Sequence, residues 1–202
     1  MMAKVCGLTC AADVAAALEA GADLLGFLQY PASPRHCPDL ELARLAGARA
    51  VLVLVAASAG PALALARAAG AAWVQPYLPA PERARAVTLL REAGLRVLLP
   101  WPDEPDQRAP AADLYLWETS PRATGLLGGS GLGHPMAFPP PGPFLLGGGL
   151  NETILRSRLE LMPAGARGRC RGFDAASRLE SAPGRKDPAR VAAFVHNAHD
   201  LE

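Results

Sequence analysis

Residues 50–75 read AVLVLVAASAGPALALARAAGAAWVQ, and this stretch decides the fold. The run AVLVLV at 50–55 is continuously apolar and valine-rich, the pattern of a strand buried on both faces. GPALALARAAGA at 60–71 has helical character, a proline near its start and a glycine near its far end, as helix boundaries require. A second short apolar run, AWVQ at 72–75, follows at once. Strand, helix and strand in succession call for two parallel strands joined by a right-handed crossover.

The same unit recurs along the chain. Further strand-length apolar runs are AKVC (3–6), DLLGFL (23–28), LRVLL (95–99), DLYLW (113–117), PFLLG (143–147) and GFDAAS (172–177). Between them lie AADVAAALEAGA, PDLELARLAGA, PERARAVTLLREAG and NETILRSRLELM, and DPARVAAFVHNA comes last. The connections WPDEPDQRAPAA and GLLGGSGLGHPMAFPPPG leave room for only a short helix each. Eight such units predict an α/β fold, a single (β/α)8 TIM barrel over residues 1–202, short for its class, with reduced helices in units five and six. Units of about twenty to thirty residues also form a weak internal repeat. A doubly wound open sheet is the alternative, but it favours five or six strands and a G-x-G-x-x-G turn after the first, which is absent.

Half of the 202 residues are apolar and the formal charge is +1, enough for one substantial core. The charge balance gives no reason to expect nucleic acid or an anionic membrane as a partner. No uninterrupted apolar stretch reaches spanning length, and Met-Met-Ala-Lys-Val does not read as a secretory signal, so a cytoplasmic protein is expected. Cysteines at 6, 10, 37 and 170 lack disulfide-scaffold spacing and are expected to be reduced. Cys6, Cys10, His36 and Cys37 match no zinc spacing, and no metal is expected.

In a barrel of this kind the active site is built at the carboxyl ends of the strands. That rule selects Cys6, Arg35, Gln75, Glu118, the GGSG turn at 128–131, the GGGL turn at 147–150, and Ser177, Arg178 and Glu180. Glycine turns after strands seven and eight suit a phosphate, because backbone N–H groups can approach it closely; they are equally what tight turns look like in a glycine-rich chain. A thiol and a carboxyl group on opposite sides of a sugar suit proton transfer, with the carboxyl donating and the thiolate abstracting, and that chemistry needs no cofactor. The plain alternative for Cys6 is a small buried filler.

KVCGLT (4–9), SPR (33–35), GGSG (128–131), LLGGGLNE (145–152) and FDAASRLESAPGRKDP (173–188) resemble the phosphoribosylanthranilate isomerase family of tryptophan biosynthesis, in order and over nearly the whole chain. The resemblance implies a cofactor-free Amadori rearrangement of N-(5'-phosphoribosyl)anthranilate to 1-(2-carboxyphenylamino)-1-deoxyribulose 5-phosphate. By position it implies Cys6 as general base at C2' and Glu118 as general acid at the ring oxygen. Arg35 would hold the anthranilate carboxylate, and Gly148, Gly149 and Ser177 the phosphate, with Gly129 and Gly131 shaping the pocket and Gln75 contacting substrate. The implied partner is a small phosphosugar, bound by a monomer or homodimer.

The chain departs from the family pattern at three places. Glu118 stands where aspartate is usual, Gln75-Pro76-Tyr77-Leu78 replaces Gln-Leu-His-Gly, and Ser177-Arg178-Leu179-Glu180 replaces Ser-Gly-Val-Glu. Arg178 either blocks approach to the phosphate or supplies it with a bidentate donor. The departures leave a non-catalytic or altered-substrate phosphosugar-binding barrel as the alternative function.

Overall fold

A computed structural model describes residues 1–56, 58–105, 110–119 and 131–201. Eight parallel strands close into a barrel in chain order: β1 (Met2–Cys6), β2 (Leu24–Gln29), β3 (Ala50–Val55), β4 (Trp73–Tyr77), β5 (Arg96–Pro102), β6 (Leu114–Glu118), β7 (Phe144–Leu146) and β8 (Cys170–Ala175). β8 pairs with β1 to close the ring, setting Lys4 beside Asp174 and Val5 beside Ala175. All eight expected strands are present, and the sheet is closed rather than open.

The continuous apolar runs hide a period of two. Leu24, Val51, Val53, Trp73, Leu98, Leu114, Leu116 and Leu145 form one buried cluster, the filling of the barrel. Their chain neighbours, among them Leu25, Leu52, Val74, Leu99, Tyr115, Trp117 and Phe144, belong to a second cluster shared with the helices. Each strand is therefore apolar on both faces, as the sequence pattern requires. Near the carboxyl end the inward series changes character: Lys4 and Cys6 continue from Met2, Gln75 and Tyr77 from Trp73, and Glu118 from Leu116.

The helices occupy the expected crossovers: α1 (Ala11–Glu19), α2 (Glu41–Ala46), α3 (Ala59–Ala69), α4 (Ala80–Glu92), α5 (Leu155–Glu160), α6 (Ala164–Arg167) and α7 (Pro188–His199). α7 shows why local sequence suffices here: the Asp187 side chain accepts from the N–H groups of Ala189 and Arg190, and Pro188 takes the first helical position. Among the described residues, units five and six contain no helix. One element was not expected: β9 (Glu180–Ala182) and β10 (Arg185–Lys186) form a small antiparallel hairpin across Pro183-Gly184. It lies within FDAASRLESAPGRKDP, between strand eight and the last helix.

Candidate active site

The carboxyl ends of the strands surround a cleft lined by Cys6, Arg35, Gln75, Glu118, Gly131, Gly148, Gly149 and Ser177. Sequence expectation had nominated all of these. Gly129 lies outside the described residues. Arg178 does not line the cleft; its Nε and Nη2 donate to the Gly131 carbonyl at 3.1 and 2.9 Å, so the guanidinium ties the loop after β6 to the turn after β8. Neither expectation for Arg178, blocking the phosphate or ligating it, anticipated this tether.

Cys6 reaches the mouth because Gly26 makes room for it. A Cβ on Gly26 would stand 2.7 Å from the Cys6 sulfur. Two residues below on the same face of β1, Lys4 is fully buried and donates to Asp174 Oδ1 at 2.5 Å; its positive charge also acts on the Cys6 thiol. Burial raises the Cys6 pKa above the ordinary thiol value, while the Lys4 charge works in the other direction. The Lys4 ammonium is itself held protonated: burial disfavours its charge, and Asp174 and Cys6 outweigh that burial.

Glu118 ends β6, three strands away from Cys6 around the ring, and is 5% exposed. Burial pushes its pKa up to about 8, opposed by a hydrogen bond from Tyr77 and by Lys4, and reinforced by Asp174. Near neutrality it is therefore a protonated carboxyl with a hydrogen to give. Tyr77 Oη lies 3.0 Å from Glu118 Oε2, and Gln75 Nε2 lies 3.1 Å from Tyr77 Oη.

Arg35 is held in a fork. Its Nε and Nη2 donate to the two carboxylate oxygens of Glu180 at 2.7 and 2.8 Å, and Lys186 Nζ adds a third contact to Oε1 at 2.9 Å. Two cations share one carboxylate, so this corner carries an excess of one positive charge, which suits an anionic ligand. The hairpin β9–β10 makes the arrangement, because it brings Glu180 and Lys186 opposite each other.

Across the cleft, Gly148 and Gly149 have φ of +85° and +66°. Side chains rarely adopt such angles, and a Cβ on Gly149 would meet the Gly131 carbonyl oxygen at 2.7 Å. Consecutive backbone amides turned this way form a concavity suited to an anion.

Four residues that matter here were not singled out from sequence: Lys4 as a charge partner, Tyr77, Asp103 and Asp174. Asp103 accepts from the N–H groups of Ala137 and Phe138 and from Trp117 Nε1, and its Oδ2 is 3.2 Å from His134 Nδ1. It pins the segment that returns from the β6 loop. For Lys4 and Tyr77 the available signal was their two-residue spacing from Cys6 and Gln75, which places each pair on one strand face. Among the described residues no group of three or more His, Cys, Asp or Glu side chains is placed to hold a metal ion, and no helix is long and apolar enough to cross a membrane.

Fold and mouth together define a (β/α)8-barrel enzyme with a thiol and a buried carboxyl group lining one cleft at the carboxyl ends of its strands. No family model matches the chain, but individual proteins do. The N-(5'-phosphoribosyl)anthranilate isomerase of Azorhizobium caulinodans is 34% identical over 212 residues, spanning 95% of this chain and 89% of its own. That of Rhodopseudomonas palustris strain CGA009 is 33% identical over 216 residues, 96% of each chain. Among solved structures, TrpF from Jonesia denitrificans superposes with a TM-score of 0.76 at 30% identity, covering 98% of this chain and 97% of its own. The phosphoribosyl anthranilate isomerase from Thermus thermophilus gives the same TM-score at 27% identity, covering 98% of each chain. The chain belongs to the N-(5'-phosphoribosyl)anthranilate isomerase family.

Proposed function

We propose that Cys6 and Glu118 divide between them the proton transfers of the isomerisation. The chain is an aldose–ketose isomerase of tryptophan biosynthesis, acting on N-(5'-phosphoribosyl)anthranilate. Glu118 gives its proton to the ribose ring oxygen as the C1'–O bond breaks, leaving an iminium ion at C1'. The Cys6 thiolate removes the hydrogen from C2', and the electron pair of that C–H bond forms the C1'–C2' double bond. The resulting enolamine becomes the ketose by moving one proton from O2' to C1'. Glu118 ends as a carboxylate and Cys6 as a thiol, and proton exchange with water resets both.

The observation that carries this assignment is the buried Glu118 carboxyl group in the same cleft as Cys6. Gly148, Gly149 and Ser177 are assigned to the phosphate, with Gly131 and the Arg178 tether fixing the opposite wall. Arg35 is assigned to the anthranilate carboxylate; its Glu180 fork orients the guanidinium and leaves Nη1 for the ligand. Gln75 supports the acid through Tyr77. The reading includes a cytoplasmic protein acting as a monomer or homodimer, with no nucleic acid or membrane partner. The test is complementation of a tryptophan-requiring strain lacking this isomerase. Wild type restores growth, while Cys6→Ser and Glu118→Gln do not; soluble wild-type protein that fails to rescue overturns the reading.

A further inference from the structure

The two carboxyl oxygens of Glu118 have different surroundings, and a single residue makes the difference. Gln75 Nε2 faces Tyr77 Oη, and Tyr77 Oη faces Glu118 Oε2. An amide N–H only donates, so the phenol oxygen accepts in the first contact. Its one hydrogen is thereby committed to Oε2. Among the described residues Oε1 of Glu118 has no hydrogen-bond partner, although it is buried. A carboxyl oxygen that already accepts a hydrogen bond is the poorer seat for the acid's own proton. That proton therefore sits on Oε1, the oxygen left for a ligand in the cleft.

We propose that Tyr77 is the positioning residue of the general acid: it seats the Glu118 proton on Oε1 and holds the carboxylate that remains after transfer.

The shape of the barrel mouth explains why this chain needs such a residue. Next to the Cys6 cleft lies a second cavity, walled by Pro76, Pro79, Pro100 and Pro102, and both Tyr77 and Glu118 border the two spaces. Glutamate has one more rotatable bond than aspartate, so an untethered carboxyl could swing toward the proline-lined side and away from Cys6. The Tyr77 hydrogen bond removes that freedom, and Gln75 in turn fixes the phenol. All three side chains project inward from β4 and β6, so the relay is built on strands rather than on loops. The tyrosine keeps its own proton throughout, because burial and the neighbouring Glu118 hold its pKa well above 10. Only the Oε1 proton moves, to the substrate's ring oxygen. The other charges facing Glu118 are Asp174 and Lys4, which form a pair and so largely offset each other.

This inference rests on Glu118 being the acid. The test measures single-turnover rate, kcat, KM and the pH profile of kcat/KM for wild type, Tyr77→Phe, Glu118→Gln and a protein carrying 3,5-difluorotyrosine at position 77. Tyr77→Phe is expected to lower the single-turnover rate and kcat about ten- to a hundredfold, the range for one hydrogen bond to a charged group. KM stays within about threefold, and the break in the pH profile assigned to Glu118 moves upward, because a donor favouring the carboxylate is gone. Difluorotyrosine, a stronger donor, keeps activity and moves the same break downward. Rates within about twofold of wild type with an unmoved break in Tyr77→Phe overturn the proposal. If Tyr77→Phe is insoluble, the difluorotyrosine protein decides by whether its break moves. A Glu118→Gln enzyme with wild-type rate overturns the acid assignment itself, a result separable from either outcome at Tyr77.

Discussion

Lys4, fully buried, forms an ion pair with Asp174 at the cleft wall, Nζ to Oδ1 2.5 Å, one inward-facing step below Cys6. The pair bears on how readily the desolvated Cys6 thiol ionises. Burial alone favours the neutral thiol, and the Lys4 charge is the largest influence opposing that. Asp174 keeps the ammonium charged but also repels the thiolate, so the balance between the two partners sets the reactive fraction.

Replacing Lys4 with Met is therefore expected to raise the Cys6 pKa further. In a Cys10→Ser background, alkylation by iodoacetamide at pH 8 should slow by about tenfold or more, and turnover should fall in parallel. The Asp174 carboxylate, left unpaired at the cleft wall, should lower stability in urea unfolding by less than the roughly 3–5 kcal/mol of a fully buried pair. Adding Asp174→Asn should recover much of that stability without restoring wild-type turnover. A Lys4→Met enzyme with unchanged alkylation and turnover would show that the ammonium does not tune the thiol.

The titration order leads to an unusual pH profile. Glu118 titrates at about 8, and burial keeps Cys6 above the ordinary thiol value, so the acid loses its proton before the base does. Below pH 8 the acid is ready and the thiolate is scarce; kcat/KM should rise about tenfold per pH unit. Between the two pKa values, gain of thiolate and loss of acid cancel, giving a plateau, and above the thiol pKa the rate falls. A profile that already declines below pH 7 would contradict this order.

Glu118→Asp tests whether chain length matters. The shorter side chain withdraws from Tyr77 Oη, which is 3.0 Å from Oε2 in the native arrangement. A misplacement of about 1 Å can cost up to about a hundredfold in rate. The expected result is a lower kcat with Tm nearly unchanged, measured by single-turnover kinetics and thermal melting. A Glu118→Asp enzyme as fast as wild type would mean that the acid position tolerates both lengths.

Much of the barrel was legible because a strand buried on both faces is written as a continuous apolar run, and eight such runs occur. Cys6 and Glu118 were legible for a related reason: each ends such a run with a group that can move a proton. The same continuity concealed the rest. In AKVC and FDAAS nothing marks which residues turn inward, so Lys4 and Asp174 could not be paired until the β1–β8 register was known. Tyr77 looked like a lost histidine because its partner lies 41 residues away on β6. Arg178 reads in the sequence as either blocking the phosphate or donating to it, because the carbonyl that it binds, on Gly131, belongs to another unit of the barrel.

Glu180 ties Arg35 to Lys186, and its removal should separate binding from stability. Its carboxylate is almost fully buried and accepts from both cations. Burial works against the charge, but Arg35 and Lys186 outweigh it, so its pKa lies below the ordinary carboxylate value. A carboxylate depressed in the folded state stabilises the protein fully above its unfolded pKa, and that contribution disappears as pH falls through the folded pKa. Glu180→Gln should therefore be less stable than wild type by about 3–5 kcal/mol at pH 7, with the gap closing as pH drops below about 4.5. Because the amide cannot fork the guanidinium, Arg35 loses its orientation. KM should rise about tenfold or more, the scale of one charge-assisted contact, while the single-turnover rate at saturation stays within a few-fold of wild type. Urea melts at pH 7 and pH 4, paired with saturation kinetics, check both halves. A stability gap that persists unchanged at low pH would mean that Glu180 acts through packing rather than through its charge.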